Sequence, residues 1–105
     1  MVTPVAAFAA LADETRWAVL QALGAEDLSA SALAARLPVT RQAVAKHLAV
    51  LEGAGLVESY TAGRERRYRA LGAELTALGR QLEGIGKAWD ARLARLSRLA
   101  QDLDR

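Results

Sequence analysis

Through most of this chain the apolar side chains recur at spacings of three and four, the period of an α-helix. Val44, His47, Leu48 and Leu51 stand at i, i+3, i+4 and i+7 and form one buried stripe. Thr40, Arg41, Gln42, Ala45 and Lys46 fall on the other side of the same helix, within its first two turns. Thr40 is a favourable N-cap, and Gly53 and Gly55 are stop signals at the far end. Upstream, Thr3 and Pro4 open a helix that runs to about Ala12. Asp13 caps a second over 14–23, which turns Val19, Leu20 and Leu23 inward and ends at Gly24. Ser29 or Ser31 caps a short third helix holding Leu33, Ala34 and Leu37. Pro38 closes it, because the residue before a proline disfavours the α region. Only Pro38 and Val39 separate that helix from Thr40. A short helix, a tight turn and a longer two-faced helix make a helix-turn-helix.

Two stretches break the helical period. Residues 57–61 and 66–70 are rich in Val, Thr, Tyr and Ser and flank Gly63, which predicts a two-stranded hairpin. Arginine occupies Arg64, Arg66, Arg67 and Arg69, so this hairpin is basic and has the layout of a wing. From Gly72 onward the helical period returns. Leu75, Leu78, Leu82, Ile85 and Trp89 alternate spacings of three and four, and after a break at Arg92 the series resumes at Leu96, Leu99 and Leu103. That is close to a heptad seam. Such a helix would be about 50 Å long at 1.5 Å per residue, longer than the small domain before it requires. Its apolar stripe therefore calls for a partner, and a second copy of the chain is the simplest one. Gly79, Gly84 and Gly86 either allow close helix approach or mark a kink near 84–86. The expected architecture is mainly α: a winged helix-turn-helix of five helices and a two-stranded β-hairpin. A DNA-binding domain spans 1–71 and a dimerisation helix 72–105.

Composition narrows the chemistry. In 105 residues, 52% are hydrophobic, with only two Trp, two Tyr and one Phe, which favours a helical core. A net charge of +2 is modest, but the clustering of cations matters more than their sum. With no cysteine there is no disulfide and no thiolate metal site. The chain begins without a basic leader, and its longest uncharged stretch is too short to span a bilayer, so a cytoplasmic protein without a membrane segment is expected. One histidine, no Gly-rich phosphate loop and no clustered carboxylate pair argue against an enzyme, and no cofactor is implied.

Three segments, taken in order, resemble one family. FAALADETRWAVLQAL over 8–23 is similar to the opening of ArsR-type winged-helix repressors, LSASALAARLPVTRQAVAKHLAVLEGAGLV over 28–57 to their helix-turn-helix, and AGRERRYRAL over 62–71 to their wing. The resemblance implies a homodimeric repressor that binds double-stranded DNA at an operator. It implies a dimer interface built from the first and last helices, here Phe8, Leu11, Leu75, Leu78, Leu82, Ile85 and Trp89. It also implies DNA contacts from Thr40, Arg41, Gln42, Ala45 and Lys46 on the recognition helix and from Arg64, Arg66 and Arg67 on the wing. Arg16 approaches the DNA backbone in the same comparison. Many members of the family sense metals through thiolates on the third helix, where this chain has Leu28, Ser29, Ala30 and Ser31. Others use histidine and carboxylate ligands on the last helix, where this chain has no histidine. No metal site is therefore expected, and a small-molecule effector remains unassigned.

Blander roles compete for several of these residues. His47, within the apolar stripe, reads as packing, and Asp13 with Arg16 as a capped, charge-paired helix start. Trp17 and Trp89 suit core or interface packing better than a ligand cavity. Arg92, Arg95 and Arg98 sit among Asp90, Asp102 and Asp104 as a solvated face. Strand alternation turns Tyr68 inward to pack and sets Arg67 and Arg69 on the opposite face, which leaves Arg64 and Arg66 as the wing contacts nearest the turn. The alternative to a DNA reader is a helical interaction module that dimerises and recruits another protein.

Overall fold

The computed structural model describes residues 3–104. The elements follow in the order α1 (Pro4–Leu11), α2 (Glu14–Ala25), β1 (Leu28–Ser29), α3 (Ala30–Arg36), α4 (Arg41–Gly53), β2 (Val57–Ala62), β3 (Glu65–Ala70) and α5 (Gly72–Leu103). Each of the first four helices starts on a side chain that satisfies an orphan N–H. Thr3 accepts from Ala6, Asp13 from Arg16, Ser29 from Ala32 and Thr40 from Ala43, at 3.3, 3.0, 3.1 and 3.1 Å. Of the two serines open at the third helix, Ser29 is the cap. Leu37, before Pro38, is extended at φ −117° and ψ 150°, so α3 ends where proline requires.

α4 stops by the Schellman arrangement. Gly55 holds φ 77°, the Leu56 N–H donates to the Leu51 carbonyl and the Gly55 N–H to that of Glu52, each at 3.0 Å. Leu51 and Leu56, brought together by this motif, are both fully buried. Gly53 is the last residue of α4 and Gly55 is the actual stop. At α2 the expected end at Gly24 is overturned: the helix runs through Gly24 to Ala25 and caps at Glu26. A glycine inside a helix costs only about 1 kcal/mol relative to alanine, and the Glu26 N–H still closes onto the Ala22 carbonyl at 3.3 Å.

The hairpin turn is Gly63–Arg64, with positive φ at the glycine alone (64°), which fits type II′. The expected two-stranded wing is in fact one part of a three-stranded antiparallel sheet of order β1-β3-β2. Leu28 pairs with Tyr68 and Ser29 with Arg67, so the segment before α3 is stitched to the central strand of the wing. Two residues carry no alternation, which hides such a strand from sequence patterning.

By internal packing the chain divides into two units, one ending at Leu75 and one beginning at Thr76. The first turn of α5 is grouped with the helix-turn-helix unit. The core of the first unit is Val19, Leu33, Val44, Leu48, Leu51, Leu56 and Val57, all fully buried. Val44, Leu48 and Leu51 are the expected stripe of α4, while His47 on the same side is only half-buried. The second unit is helical up to Leu103, and α5 passes Gly79, Gly84 and Gly86 without interruption. Among the described residues, no helix is long and apolar enough to cross a membrane.

Candidate nucleic-acid interface

Strand alternation sorts the wing into two faces. Val57 pairs with Ala70, Ser59 with Tyr68 and Thr61 with Arg66, which puts these six on one side. Glu58 pairs with Arg69, Tyr60 with Arg67 and Ala62 with Glu65 on the other.

The second face is internally neutralised. The Arg69 guanidinium lies 2.8 Å from the Glu58 carboxylate and 4.4 Å above the Tyr60 ring, and Arg67 lies 3.0 Å from Glu65. The Tyr60 hydroxyl donates to Asp27 at 2.5 Å, and that bond to an anion raises the tyrosine above its ordinary range. Glu65 is lowered by hydrogen bonds from Arg67 and then Ser29, and Arg67 is raised by its bond to Glu65.

The first face meets the helix-turn-helix. A cleft of about 570 Å³ opens between the start of α3, the start of α4 and the wing, lined by Ser29, Ser31, Arg41, Gln42, Arg64 and Arg66, with Ala45 and Tyr68 among the remaining walls. Arg41, Arg64 and Arg66 have no carboxylate within ion-pair distance among the described residues. Three cations without an ion-pair partner therefore line one concave space beside the amide of Gln42, and the one carboxylate in its lining, Glu65, is paired with Arg67. Such a surface attracts a polyanion, and its Arg and Gln donors match the acceptors on base edges and phosphates. Thr40 and Lys46 are exposed on the same helix, outside the cleft lining.

Not every expected residue joins this group. Arg67 belongs to the neutralised face. Arg16 is engaged at the α1–α2 corner, where its Nε donates to the Ala10 carbonyl and Nη1 lies 3.8 Å from Asp13. Along the expected dimer surface, Phe8, Leu11 and Leu75 are half-buried, Leu78 is buried, and Leu82, Ile85 and Trp89 are exposed.

Residues 11–60 match the helix-turn-helix domain family. HTH-type transcriptional regulator Rv2034 of Mycobacterium tuberculosis is 42% identical over 81 residues, covering 77% of this chain and 76% of that protein. The structure of an ArsR-like transcriptional regulator from Rhodococcus sp. RHA1 superposes with a TM-score of 0.82 at 60% identity over 92% of both chains. This chain belongs to the ArsR-like family of helix-turn-helix transcriptional regulators. A further ArsR family regulator, 29% identical, superposes with a TM-score of 0.72 over 86% of this chain and 97% of its own. The protein is accordingly a DNA-binding transcriptional regulator and not an enzyme, which decides against a bare interaction module.

Two residues escaped the sequence reading. Tyr68, expected to pack inward, lines the cleft, half-buried beneath Arg66. Leu93 was overlooked because the seam seemed to break at Arg92. It is exposed at 47% and continues the series from Trp89 to Leu96 with a spacing of four, then three. The heptad frame itself is unbroken from Leu75 to Leu103: Arg92 takes one core position, and Leu93 next to it supplies the apolar side chain there.

Proposed function

We propose that this chain is a homodimeric repressor that reads a near-palindromic operator through the cleft between α4 and the wing. The observation that carries the reading is the convergence of Arg41, Arg64 and Arg66, all without an anionic partner, beside Gln42 and Ala45. Arg41 and Gln42, at the N-terminal end of α4, reach base edges in the major groove, and Ala45 leaves room for the approach. Thr40 and Lys46 contact the backbone beside them. Arg64 and Arg66 neutralise phosphates or enter the adjacent minor groove, and so set register more than sequence.

The exposed seam of α5, with Phe8 and Leu11 of α1, is where a second copy docks. A two-fold dimer places its two α4 helices about 34 Å apart, one turn of DNA, and so demands two related half-sites. The protein works in the cytoplasm on its operator, and any small-molecule effector acts at the dimer interface, away from the cleft.

The test is fluorescence anisotropy with two duplexes, one selected by the protein from a random pool and one unselected. Arg41→Ala should weaken the selected duplex by about tenfold or more and the unselected one much less, since a bidentate base contact is worth about 1–3 kcal/mol of discrimination. Equal loss on both duplexes would reduce Arg41 to a phosphate contact.

A further inference from the structure

On the cleft face of the wing, Arg66 is held rather than free. Its Nη2 donates to the Ser59 hydroxyl at 2.7 Å. Its guanidinium carbon lies 5.9 Å from the centre of the Tyr68 ring, within cation–π range. Ser59 and Tyr68 face each other across the β2–β3 ladder, and Arg66 is the next residue on that face toward the turn. One cross-strand pair thus supplies a hydrogen-bond acceptor and an aromatic floor for one neighbouring guanidinium. Both are half-buried while Arg66 is exposed, so the fixed groups hold the long side chain.

From this geometry we infer that Ser59 and Tyr68 are positioning residues for DNA binding, which fix the Arg66 guanidinium in the cleft before DNA arrives. The inference rests on the reading of Arg66 as a DNA contact. An arginine loses a large rotamer entropy when it is immobilised, and one already held loses less of it on binding. The ring and the hydroxyl leave most of the fork's five donors open, so holding the side chain does not consume its capacity for phosphate. This differs from the back of the wing, where Arg67 and Arg69 are held by carboxylates that cancel their charge. A neutral acceptor and a π-face are the two partners that orient a cation without neutralising it.

The experiment is a double-mutant cycle on the full chain, read by anisotropy against a duplex selected from a random pool. Thermal midpoints are measured in parallel to show that each variant is folded. Arg66→Ala should weaken binding by about tenfold, and Ser59→Ala by about threefold, the scale of one hydrogen bond. Ser59→Thr, which keeps the hydroxyl, should restore wild-type affinity, and Tyr68→Leu, which removes the aromatic floor, should weaken binding by about threefold and change nothing in the Arg66→Ala background. In the Arg66→Ala background, Ser59→Ala should change nothing. Equal weakening by Ser59→Ala with and without Arg66 overturns the inference, because the serine then acts independently of the arginine. Wild-type affinity for Ser59→Ala beside a weakened Arg66→Ala overturns it while leaving Arg66 as a DNA contact. Wild-type affinity for Arg66→Ala overturns it through the wing contact itself.

Discussion

Four arginines crowd into six positions of the wing, and what separates them is the company each keeps. Arg67 and Arg69 share a face with Glu65 and Glu58, while Arg64 and Arg66 open into the cleft. Each phosphate contact contributes about 0.9 to the slope of log affinity against log salt. Arg64→Ala should therefore flatten that slope by about one unit, whereas Arg67→Ala should move it far less; titrations of binding at several salt concentrations distinguish them, and equal slopes would dissolve the two-face distinction. A second residue-level outcome concerns pH. The Arg16 backbone N–H bonds the Asp13 carboxylate, and the Arg16 guanidinium and His47 lie nearby, which together outweigh burial and hold its pKa below the usual 3.8. Its contribution to stability is complete above that value and fades as pH falls through the lower, folded-state value. Asp13→Ala should lower the urea midpoint near neutral pH, and its curve should converge on wild type in strong acid. A constant gap would mean that the carboxylate charge is irrelevant.

At the scale of elements, caps and stops govern the recognition helix. Thr40 is exposed, yet it satisfies the Ala43 N–H and starts α4 at the point where Arg41 and Gln42 must be presented. Thr40→Ala should cost about 1 kcal/mol of stability, measurable by denaturant unfolding, while Thr40→Ser should be close to neutral. These ends were legible in the sequence because caps act locally: Thr3, Asp13, Ser29 or Ser31, Pro38, Thr40 and Gly55 all announce themselves by type and position. Gly24 is not the stop because a glycine only weakens a helix, and the bond from the Glu26 N–H to the Ala22 carbonyl carries α2 one residue past it. β1 stayed hidden because its formation depends on a partner strand dozens of residues away, through Leu28–Tyr68 and Ser29–Arg67.

At the scale of the molecule, the proposed dimer depends on the apolar seam of α5. Leu82, Ile85, Trp89 and Leu93 are exposed in the single chain, with Leu96, Leu99 and Leu103 beyond them. Leu93→Asp should shift sedimentation toward monomer and weaken binding to a two-half-site duplex far more than to a single half-site. A dimer that survives the change would remove Leu93 from the interface. Leu78, although on the same stripe, is 5% exposed, so its truncation should act first on the stability of the single chain.

The sequence alone determined the helical period, the helix-turn-helix spacing, the basic hairpin and the family resemblance, because each is written in local order and residue type. It also named the arginines of the wing. Only the tertiary structure decided which of them lack an anionic partner at the cleft, since that depends on the register that sets Glu58 opposite Arg69 and on Glu65 turning along β3 to Arg67. It also moved Tyr68 from packing to the floor beneath Arg66 and added β1 to the wing. The β1 pairing joins residues about forty apart, and even the short-range partners depend on side-chain orientation in the folded sheet, which no local pattern encodes.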